Sequence, residues 1–271
     1  MIEPTGFQES RPPEDKVRQR AAEAERFMRA SREIVGEAAR RSLLLRLLGS
    51  LAFRVHSPEN AHLLDEMNRE LTDLDFASER RFAPGLIGML TELGYAMDNE
   101  IAVATGGARY FFKHPQTGLG VDIFMDELFY CHRIPFRGRL DKDAHTIPLA
   151  ELVLEKMQIV ELNDKDVKDT IVLLLEHQIG DGDDEVINGG YISQLLAGDW
   201  GFYYTVTMNL ERVERGLVDY HALTEAQRAV ALDRITILRT RIEAEPKSLK
   251  WRLRAKVGTS VPWYQKVEPK Q

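Results

Sequence analysis

Leu71-Thr72-Asp73-Leu74-Asp75-Phe76 places two carboxylates one apolar residue apart. In a strand, successive side chains point to opposite faces, so Asp73 and Asp75 share one side while Leu74 and Phe76 pack on the other. Two acids held this close repel unless a cation sits between them, and hard divalent cations take carboxylate oxygens together with phosphates. The alternative is a strand end with two solvated acids, the ordinary reading of an isolated Asp-x-Asp. The flanking segments weigh between the two.

Upstream, Leu43 to Leu48 is a short apolar run closed by Gly49-Ser50, which reads as a buried strand entering a helix that runs toward Asn68 with a break near Ser57-Pro58. A glycine at such a junction lets backbone approach a ligand, and the free amides of a first helical turn face an anion. A plain strand-to-helix turn would look the same. Further upstream, residues 1–13 read as disordered, and Pro13 to Arg41 has Val17, Ala21, Ala24, Phe27, Met28 and Ile34 spaced along one face of a charged helix.

Downstream, Pro84 to Leu93 reads as a helix stopping at Gly94. The period then changes: Ile101 to Ala104, Arg109 to Phe112 and Gly120 to Phe124 read as strands, the last two joined by a turn at Pro115 to Gly118, and Cys131 to Leu140 as one more. Asp122 lies in a strand that should run beside the acidic pair; Asp126 and Glu127 are further candidate ligands at its end. Thr146 should cap a helix over Ile147 to Glu161 whose Glu151, Glu155, Lys156 and Glu161 lie off its broad apolar side. Asn163-Asp164 should cap a second, Lys165 to His177, in which Lys165 and Asp169 form an i,i+4 pair.

The chain has 271 residues, 44% of them hydrophobic and 29% charged, with a net charge of -7. These values describe a soluble globular protein with no general attraction to nucleic acid. No apolar run is long enough for a membrane span and the polar N-terminus is no secretory signal, so the expected location is the cytoplasm. The single cysteine, Cys131, excludes an intramolecular disulfide, and the seven histidines show no metal-ligand spacing and read as structural.

Gly49-Ser50, Asp73-x-Asp75, a third strand acid at Asp122 and helices after the sheet resemble the nucleotidyltransferase superfamily, the minimal palm-like fold of DNA polymerase beta. Asn163-x-Lys165-Asp166-x-x-Asp169 is similar to a motif of the AbiEii-type abortive-infection toxins, relatives of the MenT-type enzymes acting on transfer RNA, with Asn163 where that motif has arginine. The resemblance spans about residues 42–178. It implies an α+β fold: a charged N-terminal segment (1–41), a catalytic core with a small mixed sheet (42–146) and a helical C-terminal region (147–271). It also implies two magnesium ions on Asp73, Asp75 and Asp122, with Gly49-Ser50 cradling the triphosphate of a nucleotide such as ATP. Lys156 or Lys165 would supply a cation, Lys165 by motif position, with Asp166 and Asp169 orienting it. The implied reaction is magnesium-dependent transfer of a nucleoside monophosphate to a hydroxyl of an RNA end or a small molecule, with an antitoxin as a further partner. A non-catalytic relative that binds nucleotide or protein is the other reading.

Past His177, Gly180 to Glu185 reads as a solvated acidic loop, and Trp200, Phe202, Tyr203 and Tyr204 as a cluster that stacks a base or docks a helix. Ala222 to Glu245 should be a long amphipathic helix, with Leu223, Ala226, Val230, Ile235 and Leu238 near one face. The tail carries Lys247, Lys250, Arg252, Arg254, Lys256, Lys266 and Lys270 against Glu268, with Trp251, Trp263 and Tyr264 interleaved. It suits a nucleic-acid backbone, or else wraps the protein with its tryptophans as anchors.

Overall fold

A computed structural model describes residues 12–266, with 56% helix and 13% strand. The expected disorder of the first residues and the terminal Glu268 and Lys270 lie outside the described residues.

Helix α1 (Glu14–Arg40) carries Glu14 and Asp15 in its first turn and Arg40 in its last, charges that complement the helix dipole. It buries Ala24, Phe27, Ile34, Val35 and Ala38, while Ala21 stays exposed. Strand β1 (Arg46–Leu48) leads directly into α2 (Gly49–His56), and α3 (Ala61–Glu66) follows the break at Ser57-Pro58. Strand β2 (Asp73–Ser78) holds the acidic pair. After it come α4 (Ala83–Glu92), ended by Gly94 at φ +89, then β3 (Ala96–Asp98) and α5 (Asn99–Ala104). The strand expected at Ile101 to Ala104 is therefore a helix. Asp98 decides it: its carboxylate accepts from the amides of Glu100 and Ile101 and caps that turn.

Strands β4 (Arg109–Lys113) and β5 (Gly120–Met125) form the expected hairpin and complete a mixed five-stranded sheet in the order β1-β2-β5-β4-β3. Within this sheet β2 and β5 are the parallel pair, with Asp75 opposite Asp122 and Asp73 opposite Gly120. Instead of one strand over Cys131 to Leu140, two short ones pair as a hairpin, β6 (Glu127–Phe129) and β7 (Arg133–Pro135).

Helix α6 (Leu149–Met157) is shorter than expected and buried along its whole length, Glu151, Glu155 and Lys156 included. Thr146 does not cap it; Pro148 holds the N-cap position, and Thr146 forms a parallel bridge to Leu47. Helix α7 (Asp164–Glu176) has the expected Asn163 cap, its side chain accepting from the Asp166 amide. Strands β8 (Ile179–Gly180) and β9 (Ile187–Asn188) clamp the acidic loop, whose Asp183 and Asp181 pair with Arg139 and Arg241 and so are not simply solvated.

Helices α8 (Gly189–Gly198), α9 (Trp200–Gly216), α10 (Glu225–Ala244) and α11 (Leu249–Val257) complete the chain. Helix α10 starts on a capping box of Thr224 and Gln227 and buries Ala231, Ile235, Leu238 and Ile242, while Ala226 and Val230 face out. The buried apolar side chains from Ala24 to Ile242 form one cluster, so sheet and helices share a core. No described helix is long and apolar enough to cross a membrane.

Candidate functional site

The site lies where β1 ends, α2 begins and the two parallel strands run side by side. On β2 the burial alternates as the period of a strand requires: Leu74 and Phe76 are buried, Asp73 and Asp75 half-buried on the other face. Asp122 stands beside Asp75 in register and is fully buried. Gly49 closes the third side. It has φ +71, and a Cβ there would collide with the Asp75 carboxylate, so glycine is required twice over. Gly120, opposite Asp73 in the sheet, packs under the Phe111 ring, which an added Cβ would approach to 3.2 Å. Ser50 is buried in the first turn of α2, and Thr72 donates to Asp73 at 2.8 Å.

Arg109 grips Asp122 with both arms of its guanidinium, Nε donating to Oδ1 at 2.7 Å and Nη2 to Oδ2. The hydrogen bond to Asp122 raises the pKa of Arg109, so this cation is permanent. Tyr130 lies near both acids, and burial, together with Asp75 and Asp122, pushes its phenol well above its ordinary pKa, which keeps the O–H as a donor.

Behind the Gly49 turn sits a second charged cluster. The Gly49 amide donates to Glu155 Oε2 at 3.0 Å. Lys156 Nζ lies 3.1 Å from Glu155, 3.2 Å from Asp169 and 3.6 Å from Asp166, and 5.2 Å from the Phe53 ring. Arg69 is bidentate to Asp169 at 2.9 and 2.8 Å. Burial pulls the Lys156 pKa down, but Glu155, Asp169 and Asp166 outweigh it and leave the pKa raised. Burial in turn raises Glu155 and Asp166.

The expected residues thus fall into three places. Asp73, Asp75, Asp122 and Gly49-Ser50 come together at the sheet. Lys156, Asp166 and Asp169 meet behind it, joined to it through Glu155. Lys165 is exposed on α7 and does not take Asp169, which belongs to Arg69 and Lys156; the i,i+4 pair on this helix is Asp164 with Lys168. Asp126 accepts from the Arg80 amide and pairs with Arg80, and Glu127 pairs with Arg133, which accounts for both without a ligand. Arg69, Arg109, Tyr130 and Glu155 are functional candidates that pattern alone missed. Glu155 had one sequence signal: charges inside an otherwise Leu-, Val- and Ala-rich segment.

The tail is anchored by its tryptophans. Trp251 Nε1 donates to the Leu196 carbonyl at 3.1 Å and Trp263 Nε1 to Thr205 at 3.2 Å, while the Gln265 amide reaches the Cys131 carbonyl at 3.1 Å. Trp200 stacks on Tyr204, and Trp263 meets the Tyr204 ring edge-on. Lys250, Arg252, Lys256 and Lys266 remain exposed.

The acids at the sheet offer only hard oxygen donors, on adjacent strands and open on one side, which suits magnesium in kind. They are more spread than a closed ligand set: among the described residues, the group with three ligating atoms all within 4.8 Å is His56, His177 and Glu185. Comparison of the chain with protein-family models, with curated proteins and with solved structures returns no match.

Proposed function

We propose that this protein is a magnesium-dependent nucleotidyltransferase, moving a nucleoside monophosphate from a nucleoside triphosphate to an acceptor hydroxyl. The observation that carries the reading is the packing of Gly49 against Asp75 while Asp75 stands in register with Asp122. A helix start and a set of carboxylates then share one small space, the arrangement a triphosphate and its cation need.

In this reading Asp73 and Asp75 hold magnesium, with Asp122 as the third donor while Arg109 shares its oxygens. Magnesium supplies charge neutralisation on the phosphates when bound. The first-turn amides of α2 beyond Gly49 face the triphosphate, while the Gly49 amide itself is held by Glu155, anchored in turn by Lys156, which fixes the turn. Lys156 is then a positioning residue, since three carboxylates surround it. The acceptor is an RNA end or a small hydroxylated molecule; exposed Lys250, Arg252 and Lys256 on α11 favour RNA.

Incubation with magnesium, each labelled nucleoside triphosphate and pools of RNA or small hydroxylated compounds tests the reading, with Asp73→Ala as control. Label should enter one pool, and the substitution should reduce transfer by about 100-fold or more while changing stability by less than about 1 kcal/mol. Transfer that survives Asp73→Ala sinks the catalytic assignment.

A second reading has its own observation. The grip of Arg109 on the buried Asp122 is what a non-catalytic relative would use to neutralise a third acid it no longer needs. Magnesium-dependent nucleotide binding without transfer would favour it.

A further inference from the structure

His56 ends α2, His177 follows α7, and Glu185 lies in the loop between β8 and β9; the fold brings all three together on a different patch from the aspartates. Both imidazoles are buried, at 6% exposure, while the Glu185 side chain is 61% exposed. His177 Nε2 lies 2.6 Å from the His56 carbonyl, an oxygen that can only accept, so Nε2 carries the proton. Its Nδ1 nevertheless faces two more acceptors, the Glu185 carbonyl at 3.1 Å and the Glu185 carboxylate at 3.6 Å. His56 has Nε2 against the Thr146 hydroxyl, which can donate or accept, with the Asp143 carboxylate 4.0 Å away, and Nδ1 3.3 Å from Glu185.

Two ring nitrogens therefore converge on one carboxylate, and each nitrogen must meet it through a proton or a shared metal ion. His56 Nδ1 lies 3.3 Å from Oε1 and His177 Nδ1 3.6 Å from Oε2, each close to the edge of a tetrahedron with bonds of about 2.1 Å, roughly 3.4 Å, so a turn of the exposed carboxylate brings one oxygen into the spacing that zinc takes with both nitrogens. The outer nitrogens engage a backbone carbonyl and a hydroxyl, as ligating histidines do to fix ring orientation. We propose that His56, His177 and Glu185 bind one divalent transition-metal ion of the zinc class through the two Nδ1 atoms and the carboxylate, with the fourth position open to solvent through the exposed Glu185. The ion pins the C-terminal ends of α2 and α7 to the β8–β9 loop. This site does not depend on the nucleotidyltransferase reading.

The test is calorimetric titration of chelator-stripped full-length protein with zinc chloride, in excess magnesium so that hard oxygen sites are filled. Zinc should bind at one ion per chain, and cobalt substituted for it should show the absorption of a tetrahedral site. Glu185→Gln, at an exposed position, should weaken zinc at least about 10-fold, His177→Gln should abolish binding, and Asp73→Ala should leave it unchanged. If His177→Gln does not fold, Glu185→Gln alone decides. Absence of zinc uptake by the wild-type chain, or uptake that survives Glu185→Gln, overturns the site and leaves a proton between the rings and the carboxylate.

Discussion

Two charged clusters lie back to back around the Gly49 turn, similar in composition and opposite in design. The one between α6, α7 and Arg69 is buried and nearly balanced: Glu155, Asp166 and Asp169 face Lys156 and Arg69. The one on the sheet sets Asp73, Asp75 and Asp122 against Arg109 and leaves the first two half-buried. A buried network closed on itself gives a structure its register, because any unpaired member costs several kcal/mol. An excess of acid on a half-buried face gives no such return, and it is there that the proposed metal and triphosphate would sit.

The sharpest way to break the contrast is Asp169→Ala. It strips Arg69 of its bidentate partner and Lys156 of one of three, and should destabilise the chain by about 3–5 kcal/mol, read as a lower urea midpoint. A loss below about 1 kcal/mol would mean that water enters the cluster and that it is no more buried in effect than the sheet acids. Next comes Gly49→Ala, at the seam between the clusters. A side chain at φ +71 costs about 1–2 kcal/mol, and its Cβ displaces Asp75, so activity should fall more steeply than stability. Equal losses in both would show that the turn serves only the fold. The smallest effect belongs to Lys165→Ala: exposed on α7, it should shift stability by no more than about 0.5 kcal/mol and leave transfer intact. A fall in transfer beyond about tenfold would return Lys165 to the triphosphate and extend the open site past the sheet.

What could be read from the chain follows the same division. Alternation at Leu74 and Phe76, the turn at Pro115 to Gly118 and the Asn163 cap are local signals, and each element stands where they put it. Ile101 to Ala104 misled because a short apolar run has no period of its own, and the cap at Asp98 outweighs β-propensity. Motif position favours Lys165 over Lys156 because spacing does not show depth: α6 is buried on every side, so its lysine turns inward to meet acids of another helix. Arg69, Arg109 and the pairing of His56 with His177 join positions far apart in sequence, and no window contains them.

Arg69 and Asp169 are 100 positions apart, and their pairing bears on the order of assembly. Neither side chain can leave water cheaply before the other arrives, so a folding chain gains nothing from docking α7 early against a half-formed α2 and α3. The interior charges thus act as a late checkpoint, penalising partly assembled forms and tying the segment after α3 and the later helices into a single step of folding.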